Sequence, residues 1–422
     1  MKQASPSRTS CGDTEIRGLC IINRGVEHLP TPPPLPTMLE PAFEALGPML
    51  GSEDPASSLD YLIRQFREAK DYHLLFEAKL MKKRLELGLP LIQAPNLGSL
   101  PRDVQAEYQQ YLVEVAQETG ELFLLSGNIP KAWPYLRATG DVQRVAAAIE
   151  NVEPGESVDA IIEIAFMQGV HPAKGLELVI EKFGICRALT YFGGNGGEKD
   201  REQCIGVLAR SIYSELVASI DNAIEEREGH RSGLTSIAGL IEGRDWLFGE
   251  YSSYIDPSHL VSLLQYSPEV TDAATLRQFH EICEYGKRLS ANFQFPGRPP
   301  FENPFVDYDH YVQALLGVDI DQHIAHFRKK LGETGTAGNW PAQILVTLLV
   351  RLERYREALE ISLEYLPGAH ASDIACPTAQ QLCELAGDFD RLAEIARERG
   401  DVLTYVAAHL EAAAPAAAAK RR

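Results

Sequence analysis

The sequence predicts an all-α protein built of stacked helical hairpins, and three observations carry that expectation. Apolar residues recur at three- and four-residue spacing through most of the 422-residue chain. Alternating runs of β-branched residues, the mark of a half-buried strand, do not occur. Near the C-terminus the apolar pattern repeats at an offset of 34 residues, as in Leu348 and Leu382.

The elements follow in order. Residues 1–52 mix Ser, Pro and Gly around TPPPLP at Thr31–Pro36. Such a composition buries too little surface to offset its ordering entropy, so a disordered tail is expected, its proline run serving as a spacer or docking an SH3-like partner. Helical hairpins are expected over 53–155. Leu59, Leu62, Ile63 and Phe66, then Leu74, Leu75, Ala78 and Leu85, define a helix pair joined at Ala69–Asp71. A longer helix from Asp103 to Leu125 carries Tyr108, Tyr111, Leu112 and Val115 on one side, and Gly127, Asn128 and Pro130 mark its stop and the next start. Shorter helices follow over 130–138, 141–150 and 156–168.

A middle unit with longer helices is expected over 156–316. His171-Pro172 and Asp256-Pro257 put proline in a first helical turn, where its missing N–H would be unpaired anyway. GGNGG at 193–197 precedes a long helix, from Glu198 to about Glu228, whose stripe is Ile205, Leu208, Ile212, Leu216 and Ile220. A connection rich in proline and aromatics, 291–307, interrupts the helices. Within FPGRPPFENPFVDYDHY, Pro296, Pro299, Pro300 and Pro304 forbid a helix, while Phe295, Phe301 and Phe305 anchor the chain on apolar surface. It reads as a fixed lid or wall over a cavity, followed by a helix over 309–316. Repeats are expected over 317–413, beginning with a helix at 319–331, and APAAAAKRR closes the chain as a tail over 414–422.

In the repeats, Leu348/Leu382, Leu349/Cys383, Tyr355/Phe389 and Ala358/Leu392 recur in register. Two helices joined by a tight turn cannot cover their own apolar face, and stacking such pairs at this period builds a continuous core. Here the chain resembles the tetratricopeptide family, as a divergent relative: an aromatic at the turn, then Ala358 or Leu392 three positions on. GNIPKAWPYL at Gly127–Leu136 is similar. The family's early glycine is replaced by Val346 and Gln380, and the asparagine and lysine pattern of its carboxylate clamp is not visible. The resemblance implies an α-solenoid scaffold that binds peptides or partner proteins.

Composition bounds the function. At 45% hydrophobic and 23% charged residues the chain reads as globular, and no apolar run approaches the roughly 18 residues of a membrane span. The N-terminus lacks the apolar stretch of a secretory signal. Seven scattered cysteines without a CxxC pair predict reduced thiols, hence a cytoplasmic protein. A net charge of −19 repels nucleic acid and suits a basic peptide or cationic ligand. GxxxxGK[ST], GxSxG and HExxH are absent. Acids at Glu198, Asp200 and Glu202 would repel an anion from the GGNGG turn.

The candidate chemistry lies in His171, Asp256, His259, Asp307, Asp309 and His310, each at an expected helix start or in the loop before one. Histidine with carboxylate suits both general acid–base work and a divalent metal. His171, Asp256, His259 and His310 are the catalytic candidates, and His259, Asp307, Asp309 and His310 the metal candidates. The structural alternative is capping: Asp256 before Pro257, and Asp307 or Asp309 before the helix at 309–316. His280/Cys283 and His323/His326 are also spaced to share helix faces, as zinc ligands or as packed side chains. Two functions remain open: a non-catalytic scaffold for a protein or peptide partner, or a metal-dependent enzyme of hydrolase or oxygenase type with its site in the middle unit.

Overall fold

The computed structural model describes residues 40–51, 56–92, 95, 97–153, 155, 158–195, 199–332, 338–367 and 374–419. It is all-α, a series of helical hairpins, with no β-strand among the described residues. The chain divides into two compact units, residues 1–182 with 195–200, and residues 183–194 with 201–422.

In the first unit, α1 (Glu40–Leu50) lies within the segment expected to be a tail. TPPPLP and the rest of residues 1–39 lie outside the described residues. α2 (Ala56–Glu68) and α3 (Tyr72–Glu86) form the expected opening pair, and the Asp71 side chain accepts from Leu74 N–H to start the second. α4 (Arg102–Leu125) and α5 (Ile129–Ala138) pack closely because Gly120 meets Leu136, where an added Cβ would sit 2.5 Å from Leu136 Cγ. Phe76, Leu112, Val115, Phe123, Trp133 and Val145 form the core. α6 (Val142–Glu150) follows, then α7 (Asp159–Ile162), which runs into a π-helical turn at Glu163–Met167, and α8 (Pro172–Phe183).

In the second unit, α9 (Ile185–Asn195) takes Gly193 and Gly194 into its last turn, so the glycine run is not wholly a turn. α10 (Arg201–Glu228) is the expected long helix, and its five-residue stripe is fully buried. Against it pack α11 (Ile237–Ile241), α12 (Pro257–Leu264) and α13 (Ala273–Arg288).

α14 (Pro304–Leu315) begins five residues before the expected 309. Asn303 accepts from Val306 N–H and Pro304 occupies the first turn, which is what the helix start requires. Asp307 and Asp309 are therefore inside the helix, and their expected capping role is corrected. α15 (Ile320–Leu331) follows as expected.

The segments with matching apolar spacing form two helix pairs, α16 (Trp340–Arg351) with α17 (Tyr355–Tyr365), then α18 (Ala379–Ala386) with α19 (Phe389–Arg399), an arrangement compatible with a helical repeat. Tyr355 and Phe389 each open the second helix of a pair. Even the turns correspond: Glu353 and Gly387 are both left-handed, with φ of 58° and 64°. The Arg351 guanidinium, at the end of α16, donates to the carbonyls of Pro268 and Val270, the latter at 2.6 Å. α20 (Val402–Ala419) carries helix through most of the alanine stretch expected as a tail, in keeping with alanine's helix propensity.

Candidate functional site

Three consecutive helices of the second unit bring together most of its buried ionisable chemistry. Of the four buried Asp, Glu, Lys, Arg and His side chains among the described residues, three are here: Asp307 at 8% exposure, Asp309 at 5% and His323 at 4%; the fourth is Arg84. Burying such groups costs several kcal/mol unless they are paired, so their concentration calls for an account of every partner.

Asp309 is the best satisfied. Its Oδ1 accepts from His280 Nδ1 at 2.6 Å, and its Oδ2 accepts from Lys287 Nζ at 3.0 Å and Gln313 Nε2 at 2.6 Å. Lys287 also pairs with Glu284 one turn back on α13. Burial pushes the Asp309 carboxyl up, but the bonds from His280 and Lys287 outweigh it and hold the group below its ordinary value. The bond to Asp309 raises His280 in turn. His280, Glu284 and Asp309 have donor atoms within 4.8 Å of one another, which is metal-ligand spacing. The Lys287 ammonium already contacts both carboxylates, so this set works as an ion-pair network. Cys283 is fully buried, with its thiol pushed well above the ordinary value, and stays outside that set.

The second half of the cluster is an imidazole array. His310 Nδ1 and His323 Nδ1 lie 2.7 Å apart, sharing one hydrogen bond between α14 and α15. The His326 ring stacks on His310 at 3.9 Å between centroids, and His326 Nε2 donates to Asp307 Oδ1 at 2.8 Å. Asp307 Oδ2 is buried without a partner. Burial, with His326 and His323 beside it, pushes His310 down to about 4, and burial also lowers His323. Both are neutral at pH 7, as one N–H···N bond between them requires.

The candidate residues thus separate. Asp307, Asp309 and His310 meet in one cluster with His280, His323 and His326. His171 belongs to the first unit, where its Nε2 bonds Glu150 Oε2 at 2.6 Å. Asp256 caps α12 by accepting from Ser258 N–H at 2.9 Å, the structural alternative for that residue. His259 lies on α12 with its Nδ1 buried and unpartnered. His280, His323 and His326 were visible only as i,i+3 pairs; their partners on α14 could not be read from spacing.

The start of the proline-aromatic connection borders an open cleft. The cleft, of about 750 Å³, is lined by Ser253–Pro257 on one side and Asn292–Pro296 on the other. Gln294 Nε2 donates to the carbonyls of Gly286 and Leu289, both at 2.9 Å, leaving its Oε1 buried and unpartnered. Arg288 stacks over Phe248, bonds Ile241 O at 2.9 Å and pairs with Asp245 at 2.5 Å. No protein-family profile, curated protein or solved structure matches this chain.

His280 sets a pH dependence. Because its folded-state value is raised by Asp309, the contact adds stability fully below the ordinary histidine pKa of about 6.5 and loses it as pH rises through the folded value. His280→Gln is expected to be less stable than wild type near pH 5.5 and to approach it in alkaline solution, by urea unfolding across that range; a gap that widens with pH would contradict the assignment.

Proposed function

We propose that this chain is a non-catalytic helical-repeat scaffold, of divergent tetratricopeptide-like type, that seats an extended basic segment of a protein partner. The observation that carries this reading is the open cleft bordered by the start of the proline-aromatic connection. Tyr254, Phe293 and Phe295 offer ring faces that attract Lys and Arg side chains, and Asp256 adds a carboxylate whose bond from Ser258 N–H holds it in the charged form. The net charge of −19 steers cationic partners toward the surface.

A metal-dependent enzyme has less support, because a catalytic metal keeps an open position beside its substrate. None of the clustered histidines and acids lines this cleft. The five described cysteines are free thiols, and no helix among the described residues is long and apolar enough to cross a membrane. A cytoplasmic partner protein accords with both.

Selection from a random peptide library tests the reading. Selected peptides are expected to be rich in Lys and Arg, and their affinity to fall about tenfold, or about 1.4 kcal/mol, in Asp256→Asn and in Phe295→Ala. Peptides without basic enrichment, or bound equally by both variants, would defeat the proposal.

A further inference from the structure

We propose that α14 and α15 hold one divalent transition-metal ion, Zn²⁺ fitting best, on His310, His323 and Asp307, with water completing the tetrahedron. This goes beyond the scaffold reading and does not depend on it. Asp307 and His310 stand three apart on α14, and His323 and His326 three apart on α15, so each helix presents two donors on one face.

The two helices already aim matching nitrogens at each other, His310 Nδ1 to His323 Nδ1 at 2.7 Å. Two imidazoles on tetrahedral Zn²⁺ at about 2.0–2.1 Å place their nitrogens roughly 3.3 Å apart, so the rings need to part by about half an ångström. The nitrogen that now carries the shared hydrogen would hold it on Nε2 instead, a tautomer change without net proton release.

An independent observation points to the same place. Asp307 is 8% exposed, and one of its oxygens has no partner at all. A buried carboxylate oxygen left unsatisfied costs about 1–3 kcal/mol or more, and a cation removes that cost. Asp307's other oxygen accepts from His326 Nε2 at 2.8 Å, which is how an outer residue orients a ligating carboxylate. The His326 ring also stacks on His310, which fixes the plane of that imidazole. Closing the third bond takes a rotation of the Asp307 side chain, since the set with donors already within 4.8 Å is His280, Glu284 and Asp309. That set has its charge met by Lys287 and a further hydrogen bond from Gln313, and it serves as the internal control.

The test is Zn²⁺ titration of the full chain after chelator treatment, with Co²⁺ absorption as a second readout. One ion per chain and a tetrahedral Co²⁺ spectrum are expected for wild type. His310→Gln and His323→Gln, which keep most of the volume, should each weaken Zn²⁺ binding by more than about a hundredfold, and His326→Gln by about tenfold. His280→Gln and Glu284→Gln should leave it unchanged. Far-ultraviolet circular dichroism checks that each variant is folded, and a Zn²⁺-dependent rise in wild-type Tm that His310→Gln abolishes is a further expected result. No binding by wild type overturns the proposal, as does binding that survives in both histidine variants or is lost in the His280 and Glu284 variants instead.

Discussion

Phe305→Ala is expected to destabilise the second unit by about 3–5 kcal/mol, a large share of the roughly 5–15 kcal/mol that holds a domain together. Phe305 is fully buried near the start of α14, and its ring lies flush on α13 where Gly286 has no side chain. A Cβ at Gly286 would stand 2.2 Å from the Phe305 ring, so nothing else fits between the helices. Truncation leaves a void beside Gly286, where no side chain stands ready to fill it. Urea unfolding should show a lowered midpoint at an unchanged slope. Gly286→Val should destabilise from the opposite side by forcing the ring out. A loss below about 1 kcal/mol for Phe305→Ala would mean that the contact is not formed.

Asp309→Ala is the second large effect, at about 3 kcal/mol or more. The substitution removes the acceptor of His280, Lys287 and Gln313 together, inside a site that is 5% exposed at Asp309. Lys287 then retains only Glu284, and His280 and Gln313 lose the acceptor that Asp309 supplied. Because the cost lies in the stranded partners, Asp309→Ala combined with His280→Ala should be less damaging than the sum of the two changes. A coupling of about 0.5–3 kcal/mol is expected from the double-mutant cycle. Strict additivity would show that the network is not a unit.

The helices were legible because their stripes are long and regular: the five-residue stripe of α10 is buried to the last residue. The 34-residue register was legible too, since Tyr355 and Phe389 both open second helices and Glu353 and Gly387 make matching turns. The start of α14 was not. Four prolines in a row of aromatics read as a helix-free connection, and the last of them, Pro304, turned out to be a helix opener behind the cap of Asn303. Moving that boundary by five residues carried Asp307 and Asp309 from a cap into the interior. The partners of those acids stayed hidden for a different reason. Asp309 meets His280 because α13 and α14 approach closely where Gly286 faces Phe305, and Asp307 meets His326 across to α15, contacts that periodicity does not encode.

Arg351 bears on how this fold is divisible. Solenoids ordinarily tolerate gain or loss of whole modules, because each touches only its neighbours. Here the guanidinium at the end of one module satisfies two carbonyls more than eighty positions upstream. Shortening the protein to its terminal modules would leave that cation without its acceptors, and evolution has correspondingly less freedom to shuffle these modules as cassettes.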